Sequence, residues 1–237
     1  MSDFFMLIRN ILFYTLLILW TLVWTTVSFI PVCLLPLHKR HRFLVMIWCW
    51  VAIWLCRWTC GLRWKIHGQE NLPAKTCVII SNHQSAWETF FLQTLITPQT
   101  QVLKRELTII PFFGWALRLT HPIAIDRSNV RLAIQQVRKQ GLAALKKNIS
   151  VLVFPEGTRN PCGKLGKFSR GGASLAITSG KDVIPVAHNA GKFWPRKGLI
   201  KTPGTIDVFI GPVINIKGRS PADITTSARE WIDKALS

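Results

Sequence analysis

The sequence predicts an α/β protein: a mixed, largely parallel central sheet flanked by helices over residues 62–237, preceded at 1–61 by a membrane-embedded two-helix segment. Three observations carry this. From Leu62 onward, short apolar runs alternate with helical patterns, the texture of α/β topology. Ahead of Leu62 lie two long runs without a charged residue, at 11–30 and 43–56. The length of 237 residues, 49% of them apolar, suits one α/β domain plus an appendage and excludes a disordered chain.

Charge narrows the partners. With 30 Lys and Arg against 11 Asp and Glu, the formal charge is +19, which calls for a polyanion: nucleic acid, an anionic membrane surface or a phosphorylated substrate. The membrane is favoured, because 11 Trp and 13 Phe accompany the charge and many fall in the first 64 residues, where interfacial anchors belong. No zinc-finger spacing, RNP-like aromatic segment or isolated basic helix supports nucleic acid. The six cysteines form no C-x-x-C pair and no His/Cys cluster, so they read as small hydrophobes in a reducing compartment.

The run at 11–30 is twenty residues long, enough to cross a bilayer core. No small-x-small site follows it before Pro31 and Pro36, which disfavours a cleaved signal peptide. His38-Lys39-Arg40-His41-Arg42 is a basic loop suited to anionic headgroups. The run at 43–56 has only fourteen residues and suits a re-entrant or interfacial helix better than a span. Two arrangements fit: the first run spans and the second lies in the interface, or the pair forms a hairpin dipping into one leaflet. A buried soluble hairpin satisfies the same pattern. In either membrane arrangement the basic C-terminal domain faces the cytoplasmic leaflet, the inner membrane in a bacterium.

Strand candidates follow at 77–81, 101–103, 122–125, 151–154, 183–187 and 205–210. Between the third and fourth, Ser128 caps a helix with Val130, Ile134, Val137 and Leu145 on its apolar side and Arg131, Arg138, Lys139 and Lys146 on its wet side.

The polar turn Asn82-His83-Gln84-Ser85-Ala86-Trp87-Glu88 follows the first strand candidate and delivers a histidine to the lip of the sheet. In a regular helix, side chains five apart lie roughly 140° from one another and do not meet. They meet if His83 sits in the turn and Glu88 in the first turn of the helix. The carboxylate can then fix the tautomer of the imidazole and stabilise its protonated form, which is general-base machinery. Ser85 to Glu88 equally fits an S-x-x-E capping box, with His83 a bystander. Both readings are open at this level.

Further cations and turns sit at other strand ends. Lys104-Arg105-Glu106-Leu107 closes a strand, and Pro111 and Gly114 punctuate the start of the next helix. Phe154-Pro155-Glu156-Gly157-Thr158-Arg159 ends a buried strand with an acid, a glycine that lets backbone approach a ligand, and an arginine whose fork can hold a phosphate. Such loops otherwise read as solvated turns. Lys167 and Arg170 precede another helix, and Lys192-Phe193-Trp194-Pro195-Arg196-Lys197 interleaves aromatics with cations, as a membrane-facing or ordinary surface loop does. P-loop, G-x-S-x-G and H-E-x-x-H patterns are absent, which removes nucleotide hydrolysis, serine hydrolase and zinc protease readings.

These blocks, in this order behind apolar helices, resemble the 1-acylglycerol-3-phosphate acyltransferase family of the wider glycerolipid acyltransferases. The N-H-x4-D block is matched by Asn82, His83 and Glu88, with Glu where the family most often has Asp. The second block is carried by Lys104, Glu106, Pro111 and Gly114, the third (F-P-E-G-T-R) in full by Phe154 to Arg159, and the fourth by Val183-Ile184-Pro185-Val186. The resemblance implies transfer of a fatty acyl group from a thioester, acyl-CoA or acyl carrier protein, to lysophosphatidic acid, giving phosphatidic acid. It implies His83 as general base oriented by Glu88, and Lys104 and Arg159 as the phosphate clamp with Arg105 in reserve. It also implies Glu156, Gly157 and Thr158 in the substrate loop, with oxyanion donors from backbone N–H groups around the helix start or Gly157. No metal or cofactor is implied. No Ser or Cys has a nucleophile's setting, so transfer is expected to be direct. Another lysolipid or glycerol-3-phosphate as acceptor, or a non-catalytic module binding anionic membranes, are the alternatives.

Overall fold

The computed structural model describes residues 3–126, 130–196 and 199–237; Ser128 and Lys197 lie outside them. Two N-terminal helices come first. α1 (Asp3–Leu34) is followed by a second helical rod made of α2 (Leu37–Arg40), a π-helical stretch (His41–Met46) and α3 (Ile47–Cys60). Both rods outrun the uncharged stretches that announce them. Lys39, Arg40 and Arg42 interrupt the hydropathy of the second rod but not its backbone hydrogen bonding, so it covers 24 residues instead of fourteen. Gly61, in the left-handed conformation at φ 72°, ends α3 and turns the chain into the sheet.

Among the described residues the sheet has seven strands in the order β1-β7-β6-β2-β5-β3-β4. They are β1 (Leu62–His67), β2 (Val78–Ser81), β3 (Gln99–Lys104), β4 (Ile123–Ile125), β5 (Ser150–Val153), β6 (Val183–His188) and β7 (Gly204–Ile210). All adjacent pairs are parallel except β6 with β7, so the sheet is mixed and mostly parallel. The central strands β2, β5 and β6 are buried throughout, which is why they read as unbroken apolar runs. β1 at the edge was not foreseen as a strand. Its signal is alternation, Leu62, Trp64 and Ile66 against Arg63, Lys65 and His67, not an apolar run.

Helices cover both faces: α4 (Trp87–Leu95), α5 (Phe113–Arg118), α6 (Val130–Lys146), α7 (Gly171–Ser179) and α8 (Pro221–Leu236). On one face Ile79 and Leu152 pack with Trp87 and Phe91 of α4, Ile53 and Cys56 of α3, and Phe13 of α1. On the other, Val78, Ile80 and Val151 pack with Leu145 of α6, Leu175 of α7 and Ile224 of α8. The N-terminal helices therefore share one core with the sheet. The outer face of α1 has no such cover: Phe4, Ile8, Ile11, Ile18, Val23, Val27 and Ile30 are exposed along its length.

Because β2 and β5 are parallel and in register at Ile80 and Val153, and β3 joins them with Gln101 opposite Leu152, all three strands release their following loops at one edge. That edge is where ligands of open α/β sheets sit.

Candidate active site

His83 leaves the end of β2 in the turn before α4, and Glu88 sits in the first turn of that helix. The carboxylate Oε1 lies 2.8 Å from His83 Nδ1 and also accepts the backbone N–H groups of Gln84 at 2.9 Å and Ser85 at 2.7 Å. Ser85 Oγ accepts the Trp87 N–H at 3.2 Å. The capping and orienting readings of this stretch therefore merge, for one oxygen of Glu88 ties down the helix start and the imidazole together. The longer side chain of Glu in place of Asp reaches the ring without strain on that distance.

The Phe154 ring stacks against the imidazole, centroids 4.1 Å apart and 17° from parallel, fixing the ring plane. Among the described residues Nε2 of His83 has no protein partner, and the residue lines the large cavity of the molecule.

Glu88 is fully buried, and its Oε2 has no hydrogen-bond partner among the described residues. Burial pushes its carboxyl pKa up, but the electrostatic pull of the neighbouring His188 ring and the hydrogen bond from His83 outweigh it, so the net shift is downward. His188 is the residue that sequence reasoning missed. At the end of β6, its Nε2 bonds the Asn82 carbonyl at 2.9 Å and stands 3.9 Å from Glu88 Oε1, while its Nδ1 accepts the Ala190 N–H at 3.3 Å. That pattern is the neutral tautomer protonated on Nε2, and burial lowers its pKa, against the pull of Glu88 and Asn82. Asn82 completes the bridge, donating to the His188 carbonyl at 2.9 Å and accepting its N–H at 3.1 Å. The only signal in the sequence is a polar residue closing an apolar strand.

The loop after β5 is stitched to the same turn. Glu156 Oε1 accepts the His83 N–H at 2.9 Å, and its Oε2 accepts the Gly166 N–H at 2.8 Å and the Asn160 side-chain amide. The Asn160 N–H returns to the His83 carbonyl at 2.8 Å. Glu156 thus holds the His83 turn from behind, its oxygens occupied by the protein. Gly157, at φ 68°, takes the left-handed conformation that closes this turn, with its N–H on the Phe154 carbonyl.

Two expectations need correction. The N–H groups of Gln84, Ser85, Trp87 and Gly157 are spent inside the protein, so they are not aimed at a developing oxyanion. The aromatic-cationic stretch around Trp194 is not a free surface loop: Trp194 is buried against Phe13 and Phe90, and Arg196 donates to the Arg159 carbonyl at 3.1 Å.

The cavity, about 1280 Å³, opens beside His83 and is lined by residues of both helical layers. Trp24, Leu44, Val45, Trp48, Phe90, Phe113 and Leu117 make an apolar part, and Lys104, Arg138, Arg159, Lys167, Arg170 and Arg196 a cationic one. Among its lining residues Glu156 is the only acid. Lys104, Glu156, Gly157, Thr158 and Arg159 are brought to this cavity as the sequence suggested; Arg105 is exposed and is not among its lining residues. Lys167, Arg170 and Arg196 join it across long sequence separations. The basic loop at 38–42 is also partly spent: Arg40 donates to the carbonyls of Leu35, Leu119 and Cys33, and His41 is buried.

The acyltransferase family model matches residues 63–189, more than half of the chain. A 1-acyl-sn-glycerol-3-phosphate acyltransferase of Pseudomonas aeruginosa is 52% identical over 233 residues, covering 97% of this chain and 91% of that protein. Human 1-acyl-sn-glycerol-3-phosphate acyltransferase beta is 30% identical over 167 residues, 69% of this chain and 60% of its own length. The crystal structure of the 1-acyl-sn-glycerophosphate acyltransferase PlsC of Thermotoga maritima has the same fold, with a TM-score of 0.82 over 97% of this chain and 94% of that one at 21% identity. With a matching family model, a relative identical at half of all positions along nearly the whole chain, and the first three blocks following strands that end at one sheet edge, this chain belongs to the 1-acyl-sn-glycerol-3-phosphate acyltransferase family.

Proposed function

We propose that the chain moves a fatty acyl group from an acyl thioester to the sn-2 hydroxyl of lysophosphatidic acid, giving phosphatidic acid. The observation that supports this most is the His83 ring, held at Nδ1 by Glu88, with Nε2 without a partner among the described residues, in the wall of a cavity lined by both apolar and cationic side chains. The relatives, both 1-acyl-sn-glycerol-3-phosphate acyltransferases, support the same acceptor.

In this reading Nε2 of His83 takes the proton of the acceptor hydroxyl as its oxygen bonds the thioester carbonyl carbon. The tetrahedral intermediate collapses, the carbon–sulfur bond breaks, and the thiolate leaves with the proton returned by His83. Glu88 strengthens its hold as the imidazolium forms, because the buried carboxylate then faces a full positive charge across the 2.8 Å hydrogen bond to Nδ1. Arg159 and Lys104 clamp the acceptor phosphate, with Lys167, Arg170 and Arg196 adding positive potential. Thr158, exposed and without a protein partner among the described residues, supplies donors for the oxyanion. The acyl chain lies along the apolar part of the cavity.

Membrane attachment belongs to the same reading. α1 packs along α3 and the sheet core, so it cannot leave the body to cross a bilayer alone; its exposed apolar face seats the protein in one leaflet, the cytoplasmic one. Residues 1–61 are then the membrane seat and 62–237 the acyltransferase domain.

The test is purified protein incubated with lysophosphatidic acid or glycerol-3-phosphate, each with acyl-CoA and with acyl carrier protein, and products read by mass spectrometry. Phosphatidic acid is expected with at least one donor. Acylation of glycerol-3-phosphate alone would move the assignment to that acceptor, and no product with any pair would leave only lipid binding.

A further inference from the structure

Residues 105–118 face two ways. They leave β3 beside Lys104 as a 3-10 stretch (Arg105–Ile109), turn at Ile110 to Phe112 and come back as α5. Toward the inside, Leu107, Phe113, Ala116 and Leu117 form part of the cavity wall. Toward the outside, Ile109, Ile110, Phe112 and Trp115 are 62, 42, 41 and 51% exposed.

This exposure is built, not loose. Gly114 packs so closely under the first limb that a Cβ there would stand 2.6 Å from the Leu107 carbonyl oxygen. The Gly114 N–H bonds the Ile110 carbonyl at 2.7 Å, and Thr108 Oγ1 donates to the Arg105 carbonyl at 2.7 Å. Phe112 takes φ 60°, a conformation a bulky side chain rarely adopts, and its ring lies 5.5 Å from that of Trp115 on the outer side.

The chemistry of the tip names what covers it. No charged residue stands between Glu106 and Arg118, the apex is two isoleucines and two aromatic rings, and exposed Arg105 and Arg118 flank it. Apolar apex, aromatic shoulder and cationic collar are the parts of an element that enters an anionic leaflet. The inner side of α5 is joined through Ala116 to Val32 of α1 and to Leu44, so this element packs against the helix whose outer face is apolar and exposed.

We propose that residues 105–118 are a second membrane-inserting element, whose tip enters the leaflet beside α1 and whose inner side forms the wall past which a lipid acceptor moves between leaflet and cavity. The acceptor's identity rests on the function proposed above; the insertion does not.

The test uses the full chain with Cys33→Ser and Cys162→Ser, carrying an environment-sensitive fluorophore at Ile109→Cys or, as a control on α8, at Glu230→Cys. On vesicles of phosphatidylcholine and phosphatidylglycerol, the label at 109 is expected to shift to the blue and be quenched by lipids spin-labelled in the acyl region, and the label at 230 to do neither. No turnover is needed for this readout, so failure of the enzymatic reading leaves it intact. In the Ile109→Ser/Trp115→Ser variant, turnover of a long-chain acceptor embedded in vesicles is expected to fall about tenfold or more, with turnover of a monomeric short-chain acceptor unchanged. A label at 109 that stays in water on vesicles overturns the proposal, including the case in which it responds only to acyl carrier protein. Equal loss on both acceptors, or loss on neither, overturns the passage of lipid along this wall.

Discussion

Glu88 Oε1 accepts three hydrogen bonds, two from backbone and one from His83, and charge separates what they do. A glutamine at 88 keeps an oxygen for the backbone donors but carries no charge to offset an imidazolium. Glu88→Gln is therefore expected to fold normally and to lose roughly 10²–10⁴-fold in kcat, with little change in KM for either substrate. Full activity in steady-state kinetics would reduce Glu88 to a helix cap. The pair was legible in the sequence because it is local: five residues, a turn and a helix start bring it together. His188 was not, since its contacts with Asn82 and Glu88 arise only when β6 is laid beside β2.

Lys201, ahead of β7, joins α1 to the sheet layer. This lysine is buried, with Nζ 3.3 Å from Asn10 Oδ1 and 3.1 Å from the Leu199 carbonyl, and 3.8 to 4.4 Å from the ring centres of Tyr14, Trp194 and Phe13. Its own backbone N–H reaches Asn10 as well, at 2.9 Å. Burial lowers its pKa to about 8, against the pull of Cys60 and Cys56. Lys201→Ala removes the cation from the cage and one of the donors to Asn10 Oδ1, the backbone N–H remaining, a loss of roughly 2 kcal/mol and about 4–8 °C in Tm. Freed α1 should also be cut sooner in limited proteolysis; an unchanged Tm and cleavage rate would mean that the aromatic packing alone holds the helix. At this scale the sequence read well where a signal is one-dimensional. Six strands and the long helix α6 were foreseen within a residue or two, whereas β1 escaped because a half-buried edge strand shows alternation, not hydropathy. The second helical rod was underestimated because charges end a hydropathy run without ending a helix.

Over the whole molecule, the buried site ties stability to pH. The lowered pKa of His188 means that the unfolded chain binds its proton first, so this contribution is complete above the ordinary histidine value of about 6.5 and is lost as pH falls from there through the depressed folded value. The lowered pKa of Glu88 adds a second loss farther into acid, present above the ordinary carboxylate value of about 4.3 and lost as pH falls through its folded one. Unfolding followed from pH 7 downward should thus show stability declining in two stages, with the first stage flattened in His188→Gln; an unaltered slope in that variant would place the titration elsewhere. From the chain alone came the fold class, the apolar N-terminal rods, the basic character and His83 and Glu88 as candidates for a pair, because periodicity, composition and contacts within one turn are written along the sequence. Only the tertiary structure decided that Arg138, Lys167, Arg170 and Arg196 stand around one cavity with Lys104 and Arg159, that the N-terminal rods belong to the core, and that Glu156 faces inward. Those depend on which strands become neighbours, and parallel pairing joins segments whose separation along the chain carries no trace of their distance in space.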